Sequence, residues 1–153
     1  MKFNAIALSI ILSIAITPSA NAKTSSESVK APCRLEVDYA HISKGKLKYE
    51  GATYVKVKAR SICSVLQRQV TIKLKIMKRG DFFDHEVRTF QTNPAHSTSS
   101  GFRVEMNNAL VRCKNEKLTY YYGVATSQAL VGGQWVFAGE TYSIKPKPLN
   151  CGT

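Results

Sequence analysis

The sequence predicts an all-β fold, an antiparallel β-sandwich of seven to eight strands, with a small β-barrel as the competing architecture. Three observations lead there. Short runs in which apolar and polar residues alternate recur along the chain, separated by turn-forming residues. A glycine pair, Gly132-Gly133, divides two long runs of β-forming residues. Four cysteines stand in phase with these runs, as cross-strand bridges require. No helix is expected after the N-terminal segment.

Residues 1–22 read as an export signal. Lys2 gives a charged start, Ala5 to Ile16 is almost unbroken apolar sequence, Pro18 breaks it, and Ala20-Asn21-Ala22 is a small-x-small cleavage site. The apolar stretch is short for a permanent span, and no later run is long enough for one. No cysteine follows the cleavage point, which argues against a lipid anchor. The expected product is secreted or periplasmic, with no integral membrane segment after signal cleavage. Residues 23–31 (KTSSESVKA) form a polar, flexible lead-in, and 32–153 a single β-sandwich domain. The whole chain has 22 Lys and Arg against 10 Asp and Glu, a formal charge of +12. Residues 1–22 hold one lysine and no acid, so the exported part keeps a strong basic excess.

The first two strand runs are Cys33 to Tyr39 and Thr53 to Cys63, folded about a turn from Gly45 to Gly51. That fold sets Val37 opposite Ala59, Tyr39 opposite Val57, and Cys33 opposite Cys63. The predicted disulfides are therefore Cys33–Cys63 and, by remainder, Cys113–Cys151, each worth roughly 3–4 kcal/mol in the chain-entropy model. No Cys-x-x-Cys spacing exists, so no zinc site is expected. His41 continues the phase of Leu35, Val37 and Tyr39 and reads as a packing residue at a strand end.

Gln69 to Arg79 is the cleanest half-buried strand, with Val70, Ile72, Leu74 and Ile76 alternating with Thr71, Lys73 and Lys75. Arg79-Gly80-Asp81 is a turn, Phe83 to Thr92 a weaker strand, and Thr92 to Gly101 a polar loop. Phe102, Val104 and Met106 alternate with charged residues, and Asn107-Asn108 is expected to turn the chain into Ala109, Val111 and Cys113. In the long hairpin, a type I′ turn at Gly132-Gly133 places Leu130 opposite Trp135, Gln128 opposite Phe137 and Val124 opposite Thr141. Tyr121, Ala125, Ala129, Val131, Val136, Ala138, Tyr142 and Ile144 lie on the other side. Neither side is polar, so one belongs to the core and the other forms a covered or aromatic surface. Proline between Lys145 and Pro148 is expected to end strand pairing. The run Thr119-Tyr120-Tyr121-Tyr122 resembles the sixth strand of immunoglobulin domains. Gly123 stands where that family places its core cysteine, and no Cys…Trp…Cys spacing exists. The resemblance implies an immunoglobulin-like architecture only.

No arrangement of residues fixes a catalytic function. His85 and His96, with Asp81 and Asp84 nearby in sequence, are the candidates for metal binding or for acid–base chemistry on a phosphodiester. Acids after a turn are ordinarily just solvated, and Ser97, Ser99 and Ser100 lack a Gly-x-Ser-x-Gly elbow. No paired carboxylates of the glycosidase kind and no glycine-rich phosphate loop are present. Arg79-Gly80-Asp81 matches an adhesion tripeptide, but Gly-Asp is ordinary turn chemistry. No cofactor is expected.

The basic excess is the strongest functional signal. Lys56, Lys58 and Arg60 are outward on one strand and Lys73 and Lys75 on another, with Arg68, Lys78 and Arg79 at the ends. If these strands pair in one sheet, they form one cationic surface; in different sheets they form two stripes. The leading expectation is an exported, cationic, non-enzymatic protein that binds an anionic surface or macromolecule such as a cell-wall polymer, glycan or lipid surface. Tyr54, Tyr120, Tyr122 and Trp135 are placed to add stacking, although core packing is the commoner fate of such residues. Nucleic acid is a weaker partner because no binding motif is recognisable. The alternatives are a secreted hydrolase or nuclease using His85 and His96, and an interaction subunit, inhibitor or toxin that uses the aromatic hairpin face on a protein partner.

Overall fold

Two antiparallel sheets face each other across one apolar core and do not close into a barrel. The computed structural model describes residues 33–97 and 102–153; the expected signal and lead-in lie outside the described residues, as do Ser99 and Ser100. In the first sheet, β3 (Tyr54–Cys63) is central. It is flanked on one side by β1 (Cys33–Val37) and β2 (His41–Ile42) and on the other by β6 (Arg103–Arg112). The second sheet runs β5 (His85–Gln91), β4 (Arg68–Lys78), β7 (Asn115–Val131), then β8 (Gln134–Tyr142). β9 (Lys147–Gly152) pairs with the N-terminal half of β7, beyond the stretch that β8 occupies.

Period-two patterning decides what each sheet buries. Along β3, Val55, Val57 and Ala59 face inward; along β4, Val70, Ile72, Leu74 and Ile76 are fully buried. Each such side chain contributes about 1.5–3 kcal/mol on leaving water. From β7 come Tyr121, Ala125, Ala129 and Val131, so the face that carries them is the core side of the hairpin. Tyr142 and Ile144, expected on that side, are however exposed, Tyr142 because a register shift sets it opposite Val124. The opposite face of the hairpin, with Trp135 and Phe137, is exposed.

Both predicted disulfides are present, with Cα separations of 4.0 Å for Cys33–Cys63 and 5.0 Å for Cys113–Cys151. Cys33 faces Cys63, and Val37 faces Ala59, in the predicted register. Gly132 and Gly133 have φ of 56° and 82°, as a type I′ turn requires, and Leu130 and Gln128 face Trp135 and Phe137.

Several expectations are corrected. Strand β1 ends at Val37, so Tyr39 does not pair with Val57; Asp38 donates its N–H to the Lys58 carbonyl and the chain departs. Its phase resets in β2, where His41 opposite Lys56 faces outward rather than into the core. The connection to β3 contains a short helix, α1 (Lys44–Glu50), where only a turn was expected. Gly51 caps it in the left-handed region with φ of 64°, and Lys46 pairs with Glu50 one turn along. Asn107-Asn108 does not turn the chain. The two residues bulge opposite Lys58 within one continuous strand, because β3 pairs with β6 on both sides of them. Val124 faces Tyr142, not Thr141, since Gly139 and Glu140 together oppose Thr126 in a second bulge. The C-terminal prolines do not stop pairing: Pro148 faces Tyr120 on the edge strand β9, where a ladder needs only alternate N–H donors. Nine strands therefore appear among the described residues, against seven to eight predicted.

One polar side chain lies inside this apolar frame. Gln67 is fully buried between β3 and β4, donating its amide to the carbonyls of Ser61 and Phe102 and accepting from the Ser61 hydroxyl at 2.7 Å. Its backbone N–H donates to Ser97 Oγ at 2.8 Å. A Gln67→Leu substitution removes these three side-chain hydrogen bonds from a buried site and is expected to remove about 3 kcal/mol of stability, read as a lower urea midpoint at unchanged slope.

Candidate binding face

The period-two pattern sends the lysines outward, but β3 and β4 lie in different sheets. Lys56, Lys58 and Arg60 therefore occupy the outer face of the first sheet, and Lys73 and Lys75 that of the second, on opposite sides of the sandwich. No single surface collects them. Lys78 lies in the inward row of β4 facing Tyr121, with its Nζ 3.5 Å from the Thr153 carbonyl. Arg79 belongs to the turn after β4.

On the first sheet, much of the positive charge is answered within the molecule. Arg60 donates Nε to Glu36 at 2.8 Å and Nη2 to Asp38 at 2.6 Å, and Arg34 donates to the other Glu36 oxygen at 2.8 Å. Hydrogen bonds from Arg34 and then Arg60 hold the Glu36 carboxyl below its usual range. Arg103 stands 3.4 Å from Glu105. Burial, then the like charge of Lys58, lowers the Lys56 ammonium.

The second sheet presents a different surface. Thr71, Lys73 and Lys75 face outward on β4, opposite Gln128, Thr126 and Val124 of β7. Gln91 and Thr89 of β5 stand opposite Lys73 and Lys75, and Phe137 of β8 stands opposite Gln128. A depression of about 270 Å³ is lined by Thr71, Lys73, Gln91, Thr126, Gln128 and Phe137. A second, of about 130 Å³, is lined by Lys73, Lys75, Val124, Thr126 and Glu140. Both are bounded by Lys73 and Thr126, so together they form one groove across β4, β7 and β8. The bulge in β8 opens it, since two residues there oppose the single Thr126. Among the described residues Lys73 makes no ion pair, while Lys75 has Glu86 at 3.6 Å. Glu140 accepts a hydrogen bond from the Tyr142 hydroxyl at 2.7 Å. Phe137 is 69% exposed and Trp135, two residues before it on the same face, 47%.

The other candidates fall elsewhere. His85 faces Lys78 at one end of β4, whereas His96 follows Ala95, which bridges to Val70 near the other end. Strand rise separates those ends by about 25 Å, so the two histidines do not share a site. Asp84 accepts from the Gly80 N–H at 3.4 Å and from the Tyr122 hydroxyl at 2.6 Å. Burial, then that hydrogen bond, pushes the Tyr122 phenol up to about 12. The Arg79-Gly80-Asp81 turn lines a separate open cavity of about 450 Å³ with Phe82, Tyr122 and Tyr142. Among the described residues no group of three metal-ligating side chains occurs, and no helix is long and apolar enough to cross a membrane.

Sequence reasoning found Lys73 and Lys75 but missed Thr71, Gln91, Thr126, Phe137 and Glu140 as their neighbours. The pairing of Gln128 with Phe137 followed from the glycine turn, and it was the one available clue. Comparison with family models, curated proteins and solved structures finds no match for this chain.

Proposed function

We propose that this chain is an exported, cationic, non-enzymatic binding protein that holds an anionic macromolecule against the outer face of its second sheet. Two disulfides fit oxidising surroundings, and the apolar N-terminal run with its Ala-Asn-Ala ending supplies the route out of the cytoplasm. One observation carries the choice of face: Lys73 and Lys75 stand over a groove whose other walls are mostly neutral hydrogen-bonding groups. Arg34, Arg60 and Arg103 of the first sheet already have carboxylate partners. A cation without an internal partner retains its full attraction for an external anion, and that attraction weakens with salt.

A Lys73→Glu/Lys75→Glu protein is expected to elute from immobilised heparin at markedly lower salt than the parent. A Lys56→Glu/Lys58→Glu protein, which makes the same change in charge on the first sheet, should shift much less. Equal shifts would mean that net charge alone drives retention, and the choice of face would then fail.

A further inference from the structure

We infer that the ligand of the groove is an acidic polysaccharide, whose sugar rings lie across β4, β7 and β8; the inference rests on the anion-binding reading of that face and names its ligand. Three features favour sugar over the other polyanions. First, the walls offer both halves of a hydrogen bond. The amides of Gln91 and Gln128 each present donors and an acceptor, and the Thr71 and Thr126 hydroxyls can do either. Sugar hydroxyls need that mixture, whereas a phosphate chain has only acceptors to offer. Second, Glu140 lines the groove together with both lysines. A carboxylate repels an evenly charged polyphosphate or nucleic-acid backbone but accepts hydrogen bonds from hydroxyls. With Lys73 and Lys75 beside it, the groove suits a chain in which acidic groups and hydroxyls alternate. Third, Phe137 walls the groove with a ring that is mostly open to solvent. An uncharged ring face packs well against the C–H face of a pyranose, and Trp135 extends the platform along β8. A flat lipid surface would gain little from a recessed line of amides and hydroxyls.

The test measures binding of polygalacturonate, heparin, neutral dextran, polyphosphate and single-stranded DNA to the parent protein by calorimetry at fixed salt. The same series is run on Phe137→Ala, Gln128→Ala and Lys73→Glu/Lys75→Glu proteins. Phe137 and Gln128 are exposed, so each variant should keep the parent's thermal midpoint. The expected result is that an acidic polysaccharide binds more tightly than polyphosphate or DNA, and that Phe137→Ala and Gln128→Ala each weaken it about tenfold. If polyphosphate or DNA binds at least as well, or if both neutral variants bind like the parent, the polysaccharide assignment is overturned. The anion-binding face then still stands, provided the lysine reversal abolishes binding. If the lysine reversal leaves binding intact, the reading of the face falls and the ligand assignment with it.

Discussion

A Gly123→Val protein is expected to lose about 3 kcal/mol or more of folding stability, a large share of what a domain of this size possesses. Gly123 lies on β7 opposite Ile76, facing inward where the two sheets approach each other. A Cβ there would stand 2.6 Å from Val57 Cγ1 and 2.8 Å from Val37 Cγ1. Those methyls sit on the central and edge strands of the first sheet, whose backbones are held by the β1–β3 ladder and the Cys33–Cys63 bridge. Neither can retreat without moving a strand. The glycine's own backbone is also held, since its N–H donates to Ser143 Oγ at 3.1 Å and its carbonyl accepts from the Ser143 N–H at 2.9 Å. Alanine should be destabilising by a smaller amount, and valine, with two further methyls, by more. Pairing Gly123→Ala with Val57→Ala should recover part of the loss, because the second change empties the space that the first invades. Urea midpoints for the three proteins decide the matter. A Gly123→Val midpoint equal to the parent's would show that the sheets do not meet at this point.

The same glycine shows what could be read from the sequence. In the sequence its place after Tyr122 shows only a departure from an immunoglobulin-type cysteine; its physical reason is contact between sheets, which no local pattern encodes. Period-two alternation told which side chains of β3 and β4 face inward, and it did so correctly; along β7 it sorted the residues into two apolar faces without telling which is the core. It did not tell which sheet each strand joins. β3 and β4 are consecutive, but the chain from Ser64 to Gln67 crosses from one sheet to the other, with Gln67 bound back to Ser61 of β3 and to Ser97 in the segment after β5. Lys58 and Lys73 therefore part company, although their runs look alike. The disulfides were legible because a bridge needs both phase and register, and the glycine hairpin because its turn type fixes register over many residues. The groove was not, since it depends on how β4 aligns with β7 and on a bulge at Gly139 and Glu140 that the alternation does not announce.

Removing the second bridge, in a Cys113→Ala/Cys151→Ala protein, is expected to lower stability by about 4 kcal/mol, given a sequence separation of 38. Loop length alone hardly distinguishes the two bridges, because the entropy grows only with the logarithm of the separation and the other spans 30. The folded state does distinguish them. Cys33 and Cys63 belong to strands already paired along their length. Cys113 follows β6 in the first sheet, while Cys151 lies near the end of β9 in the second, so this bridge ties the sheets together. It also anchors a strand that contains Pro148 and has β7 as its ladder partner. Cys151 is fully buried, and its carbonyl accepts from the buried Tyr121 hydroxyl at 2.7 Å, so fraying of β9 would strip that phenol of its main partner. Amide exchange should accordingly rise over Lys147–Gly152 well before global unfolding, a local opening that loss of Cys33–Cys63 should not cause. The groove draws on the other half of β7, at Thr126 and Gln128, against β8. Anion binding by the folded fraction should therefore persist in the alanine pair at low temperature. A stability within about 1 kcal/mol of the parent's, or exchange at β9 no faster than in the parent, would contradict this role for the bridge. Binding lost while the protein remains folded would instead show that the two halves of β7 act as one unit.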